Sequence, residues 1–118
     1  MRYVPRVLPH PLPAELAELI ARRFRAIGDA TRIRILDRLQ DGEASVQELT
    51  ALVGSTPQNV SKHLGVLAAA GIVARRRQGG YTLYRVADDG VYELCRHVCG
   101  SLERQLDELE ALVRAPVP

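Results

Sequence analysis

Cys95 and Cys99 are the two thiols of this 118-residue chain, and they stand four residues apart. On a helix that spacing puts both sulfurs on one side, where two thiolates can grip a soft ion or answer a thiol oxidant. A disulfide between them is awkward, because helical β-carbons four apart lie ~5–6 Å from each other against the ~3.8 Å a disulfide prefers. His97 falls about 200° from Cys95 around such a helix and cannot join the pair within one chain. The cysteines equally suit packing, since a free cysteine behaves as a small apolar residue. Upstream lies a second group: Gln58, Asn59, Ser61 and Lys62, followed by Arg75, Arg76 and Arg77. Amides of this kind read adenine edges, a hydroxyl donates or accepts, and cations reach guanine or phosphate.

The net charge of +2 hides a division along the chain. Residues 1–54 hold eight arginines and seven acids, and residues 88–118 hold three arginines and seven acids. Between them, residues 55–87 hold Lys62, Arg75, Arg76, Arg77 and Arg85 with no acid at all. Such a stretch produces a positive field suited to a polyanion, although a solvated basic face accounts for the same charges. The length suits one domain and disfavours an enzyme with separate cofactor and substrate domains. At 47% hydrophobic and 25% charged residues, the composition is that of a folded globular protein. The run from Val66 to Ala74 is broken by Gly71 and falls short of the ~18 apolar residues that cross a bilayer, so no membrane partner is expected. Four prolines in the first 13 residues argue against a secretory signal, and two cysteines cannot supply a disulfide framework. A cytoplasmic protein is expected. Three scattered histidines and the lack of G-x-S-x-G, Walker or dinucleotide motifs argue against catalysis.

The elements that must position these groups follow from periodicity and caps. A Pro-rich arm (1–13) leads into a helix from about Ala14 to Ile27, with Leu16, Leu19, Ile20, Phe24 and Ile27 on one face. Asp29 caps a second helix carrying Ile33, Leu36 and Leu39. Ser45 and Glu48 form a capping box for a third, with Val46, Leu49 and Val53 inward. Thr56 followed by Pro57 opens a fourth with a stripe of Val60, Leu64, Leu67 and Ala68, and its amide-rich start favours a phosphate. Gln58, Lys62 and Gly65 lie opposite that stripe, flanked by Asn59 and Ser61.

The period then changes to that of a hairpin over about 72–86, turning at Gly79-Gly80. Alternation puts Arg75 and Arg77 on one face as phosphate clamps, with Gln78 and Tyr81 at the tip and Tyr84 packing. Asp88 or Asp89 caps a last helix over about 89–113, and 114–118 form a tail. From Val91 to Val113 that helix runs about 35 Å, too long for a domain of ~13 Å radius of gyration to cover. Part of its stripe needs a second copy, so a homodimer joined by the first and last helices is expected. Two helices at about 46–70, then a basic hairpin, are the order of a winged helix-turn-helix within a 14–113 domain that is mainly α with a small β-hairpin.

The runs FRAIGDATRIRILDRL and VQELTALVGSTPQNVSKHLGVLAAAGIVARRRQGGYTLYRV resemble the ArsR (SmtB-type) family of winged-helix repressors, from roughly Leu16 to Leu109. The resemblance implies a dimer on double-stranded operator DNA of two-fold symmetry, released by a metal ion, metalloid or thiol oxidant. It implies a DNA-reading helix formed by Thr56, Gln58, Asn59, Ser61, Lys62 and His63. Many members carry Lys or Arg after the His-Leu pair, where this chain has Gly65. The family's Cys-x-Cys after Glu-Leu is replaced by Thr50-Ala51-Leu52, and its zinc positions match Asp88, Gly90, Ser101 and Arg104, of which only the aspartate is a ligand. A thiophilic or transition metal ion or metalloid at Cys95 and Cys99, or no cofactor, remains. The alternatives are a winged-helix regulator that needs no effector and a winged-helix module that binds an acidic protein.

Overall fold

A helix needs acceptors for its first free amides, and for the second, third and fourth helices an N-cap side chain supplies one. The computed structural model describes residues 7–117, so residues 1–6 of the expected arm and Pro118 of the tail lie outside it. Helix α1 (Ala14–Ile27) follows Pro13 and has no side-chain cap. Helix α2 (Ala30–Leu39) starts at Asp29, which accepts from the Arg32 amide at 3.1 Å. Strand β1 (Ala44–Ser45) runs directly into α3 (Val46–Val53), where Ser45 and Glu48 complete the capping box. Helix α4 (Pro57–Ala69) begins at Thr56, whose hydroxyl accepts from the Asn59 amide at 3.1 Å. Strands β2 (Val73–Gln78) and β3 (Tyr81–Val86) form the hairpin. Helix α5 (Gly90–Arg114) is the last.

The chain divides into two compact units, one running to Ala87 and one starting at Asp88. In the first, α2, α3 and α4 pack on one another and on the sheet, around Ile35, Leu36, Leu49, Leu64, Leu67, Ile72 and Val60. Each such side chain contributes about 1.5–3 kcal/mol by leaving water. The turn between α3 and α4 depends on Gly54, whose φ of 65° is left-handed and costs a β-carbon-bearing residue energy. In the hairpin, Gly79 alone of the two central residues takes positive φ (60°), and Gln78 pairs with Tyr81 across it.

Several expectations are corrected. The sheet has three strands in the order β1-β3-β2, because Ala44 and Ser45 pair with Tyr84 and Leu83; a two-residue strand has no periodicity to read. In α2, Ile35 is buried and Ile33 is 44% exposed, since the inward stripe is Arg32, Ile35, Leu36 and Leu39. Ala68 of α4 is exposed. Of the two aspartates expected to cap α5, Asp88 does so as expected, accepting from the Gly90 amide at 3.0 Å, and Asp89 makes no side-chain cap bond. Leu19 and Phe24 of α1, a helix expected to join the dimer, are more than half exposed within this single chain, which leaves that expectation standing.

The second unit is α5 with its flanking residues. Val98, Leu102, Leu106, Leu109 and Leu112 are each more than half exposed and recur every three or four residues. That is the spacing of a helix seam. No helix among the described residues is long and apolar enough to cross a membrane.

Candidate nucleic-acid interface

The polar side of α4 is held out by its apolar one. Val60, Leu64 and Leu67 are fully buried, and that fixes the helix about its own axis. Gln58, Asn59, Ser61, Lys62 and Gly65 are then exposed together. Thr56 spends its hydroxyl oxygen as the cap and keeps its O–H for a donor role. Asn59 donates from Nδ2 to Ser55 Oγ at 2.8 Å, so Ser55 orients the amide before any ligand arrives. Sequence reading missed Ser55, although a hydroxyl one turn before an amide was there to find. Lys62 forms no ion pair among the described residues.

His63 stands apart from the other residues assigned to this helix face. It is half-buried, and its Nδ1 accepts from Arg32 Nη1 at 3.0 Å. A guanidinium carries only donors, so the ring proton sits on Nε2. Asp29 Oδ1 is 3.9 Å away, beyond hydrogen-bond reach, so the Arg32 contact decides the tautomer. The same guanidinium donates through Nε to Ala26 O at 2.6 Å and through Nη2 to Arg25 O at 3.1 Å. His63 therefore ties α4 to the end of α1 rather than facing outward. Asp29 is held below the usual carboxylate range, chiefly by the Arg32 amide and then by the Arg32 charge.

The wing separates its arginines by alternation. Arg76 makes a bidentate pair with Glu43, Nε to Oε2 at 2.7 Å and Nη2 to Oε1 at 2.8 Å. That pair lowers the Glu43 carboxyl and raises the Arg76 guanidinium. Arg75 and Arg77 share the opposite face with Val73, which is buried at the base of the strand. Both are exposed and pair with no carboxylate among the described residues. Tyr84, opposite Arg75, is buried and packs. Gln78 and Tyr81 are exposed but lie on the Arg76 face, where they line a hollow of about 490 Å³ with Ser45, Glu48 and Leu83. The structure thus groups Arg75 with Arg77 and sets Gln78 and Tyr81 on the other side of the ribbon.

On α5, Cys95 is half-buried and Cys99 exposed, both as free thiols. Cys99 Sγ is 4.0 Å from Glu103 Oε1, and the thiol borders a hollow of about 280 Å³ lined also by Arg96, His97 and Arg104. Arg96 pairs with Glu93 at 2.7 Å, which lowers the Glu93 carboxyl. No cluster of three or more His, Cys, Asp or Glu side chains able to hold a metal occurs among the described residues. Two thiols in one chain do not close a zinc site, which takes four ligands.

A helix pair joined by a tight turn, followed by a basic two-stranded ribbon, defines a winged helix-turn-helix protein. Residues 27–76 match the helix-turn-helix domain family. The chain is 41% identical over 86 residues to the HTH-type transcriptional regulator KmtR of Mycobacterium tuberculosis, a match spanning 73% of this chain and 66% of KmtR. The crystal structure of M. tuberculosis Rv0081 superposes with a TM-score of 0.76 at 37% identity, covering 84% of this chain and 100% of that one. The solution structure of Mb0332 (fragment 1–100) from Mycobacterium bovis is described as a homodimeric winged helix-turn-helix DNA-binding domain of a possible ArsR-family regulator. It gives a TM-score of 0.71 at 30% identity, covering 80% of this chain and 88% of that fragment. The chain belongs to the ArsR/SmtB family of winged helix-turn-helix transcriptional regulators, which are DNA-binding proteins and not enzymes.

Proposed function

We propose that this chain is a homodimeric, sequence-specific repressor that reads a two-fold symmetric duplex operator. Two copies of α4 enter successive major grooves about 34 Å apart. Gln58, Asn59, Ser61 and Lys62 face base edges, the start of α4 at Thr56 takes a phosphate, and Arg75 and Arg77 hold the backbone beside them. The observation that carries this reading is that Lys62, Arg75 and Arg77 pair with no carboxylate among the described residues, beside an Arg76 neutralised by Glu43. Selection from random duplexes is expected to recover a palindrome. Recovery of asymmetric sites, or of none, contradicts the reading.

The dimer forms through the exposed stripe of α5 together with α1. Its signal acts on Cys95 and Cys99: a soft metal ion, a metalloid or a thiol oxidant. Because one chain offers two sulfurs, a metal requires donors from the second copy. Replacing both cysteines with serine is expected to abolish operator release by arsenite, Ni(II), Zn(II) or peroxide, whichever acts on the unaltered protein. Release that survives the replacement assigns the thiols to packing.

A further inference from the structure

One hollow of the first unit belongs neither to the polar face of α4 nor to the wing. It measures about 450 Å³ and is lined by Arg22, Arg25 and Ala26 of α1, Arg32 of α2, Val66 and Ala69 of α4, and Ala70 just past that helix. Three arginines and four small apolar residues line it, in a volume typical of small-molecule sites. Arg22 and Arg25 form no ion pair with a carboxylate among the described residues. Arg32 has five N–H donors and commits three of them, to Ala26 O, Arg25 O and His63 Nδ1. Two remain, one on each Nη, and with Arg22 and Arg25 also lining the hollow the charge there suits a carboxylate.

The hollow also lies between the two tethers that join α1 to α4. One is Arg23 Nη1 donating to Ala70 O at 3.0 Å. The other runs from the last carbonyls of α1 through Arg32 to His63. An anion held by the remaining N–H groups pulls on the same rigid plane that His63 Nδ1 holds, and a shift of that plane toward the hollow lengthens the His63 contact.

We propose that this hollow binds a small organic anion, a carboxylate on a short apolar body, and that its occupancy loosens the hold of Arg32 on α4. The coupling to duplex affinity rests on the proposed DNA-reading role; the binding site does not. A DNA phosphate is the lesser fit, because it offers nothing apolar to Val66, Ala69 and Ala70.

The test uses the full chain labelled with nitrogen-15 and titrated with butyrate and benzoate, with benzamide and inorganic phosphate as controls. The two carboxylates are expected to shift the amide signals of Val66, Ala69 and Ala70 saturably. Phosphate should act more weakly and benzamide not at all. The response should vanish in the Arg22→Ala, Arg25→Ala double variant, whose thermal unfolding should match the parent. Saturating benzoate should then weaken duplex affinity about tenfold, within the usual range of coupling between sites. Arg32→Lys, which keeps the charge but not the fork, should retain carboxylate binding and lose that effect.

No saturable shift, an equal response to benzamide, or an equal response to phosphate overturns the site. Carboxylate binding with unchanged duplex affinity overturns the coupling. A double variant that loses duplex affinity while carboxylates never bind makes the arginines DNA contacts, which also overturns the proposal. The shifts are read without DNA, so a failure of the duplex reading is seen separately.

Discussion

Helices α4 and α5 each leave one face to water, and what they leave there is opposite in kind. On α4 the exposed face carries amides, a hydroxyl, an ammonium and a glycine, while Val60, Leu64 and Leu67 are fully buried. On α5 the leucines are outside, from Leu102 to Leu112. Placing polar groups in water costs nothing, whereas a leucine stripe in water forgoes about 1.5–3 kcal/mol per side chain. The first face is therefore complete in a single chain and waits for a polar partner. The second is incomplete in a single chain, and a copy of itself is the partner it matches.

Four variants break or sharpen that contrast, the largest effect first. Leu102→Glu with Leu106→Glu puts charge into the proposed seam. Sedimentation should show a single subunit, and duplex binding should fall to the non-specific level, about 10³-fold weaker. An intact dimer would mean that α5 is not the seam. Within the wing, Arg75→Ala with Arg77→Ala should make the salt dependence of duplex affinity shallower by about 1 for each lost contact. Arg76→Ala should leave that slope unchanged, because Glu43 already neutralises it. Equal slopes in the two variants would erase the distinction between the wing faces.

The smallest effect concerns the Asp29 cap of α2, the helix whose Arg32 holds His63 of α4. Asp29→Ala should cost about 1 kcal/mol of unfolding free energy near neutral pH. The Asp29 carboxyl is lowered in the folded chain, so its contribution is present above the ordinary carboxylate value and disappears as pH falls through the folded one. The difference between variant and parent in denaturant unfolding should accordingly shrink in acid. A difference constant from neutral pH down to that range would show that the cap charge is not what Asp29 supplies.

What the sequence made legible was local. Asp29, Ser45 with Glu48, and Thr56 each act three residues away, and a window of four residues contains the whole interaction. The winged fold, the polar face of α4 and the splitting of the arginine triplet followed from such short periods. The segment TRIRIL carries two interleaved apolar stripes, and only packing chose Ile35 over Ile33. The contacts that refine the site are distant in sequence. Glu43 reaches Arg76 across 33 positions and Arg32 reaches His63 across 31, with no local pattern to announce either. Strand β1 is visible only through its pairing with β3.

The central claim is that two copies of α4 and the wing press together on a duplex. Fluorescence anisotropy of the selected duplex, titrated with the protein between about 50 and 200 mM salt, tests it most directly. The account predicts two chains per site and an affinity that falls steeply and linearly on logarithmic axes. Binding of one chain per site, or no binding at the lowest salt, would contradict it.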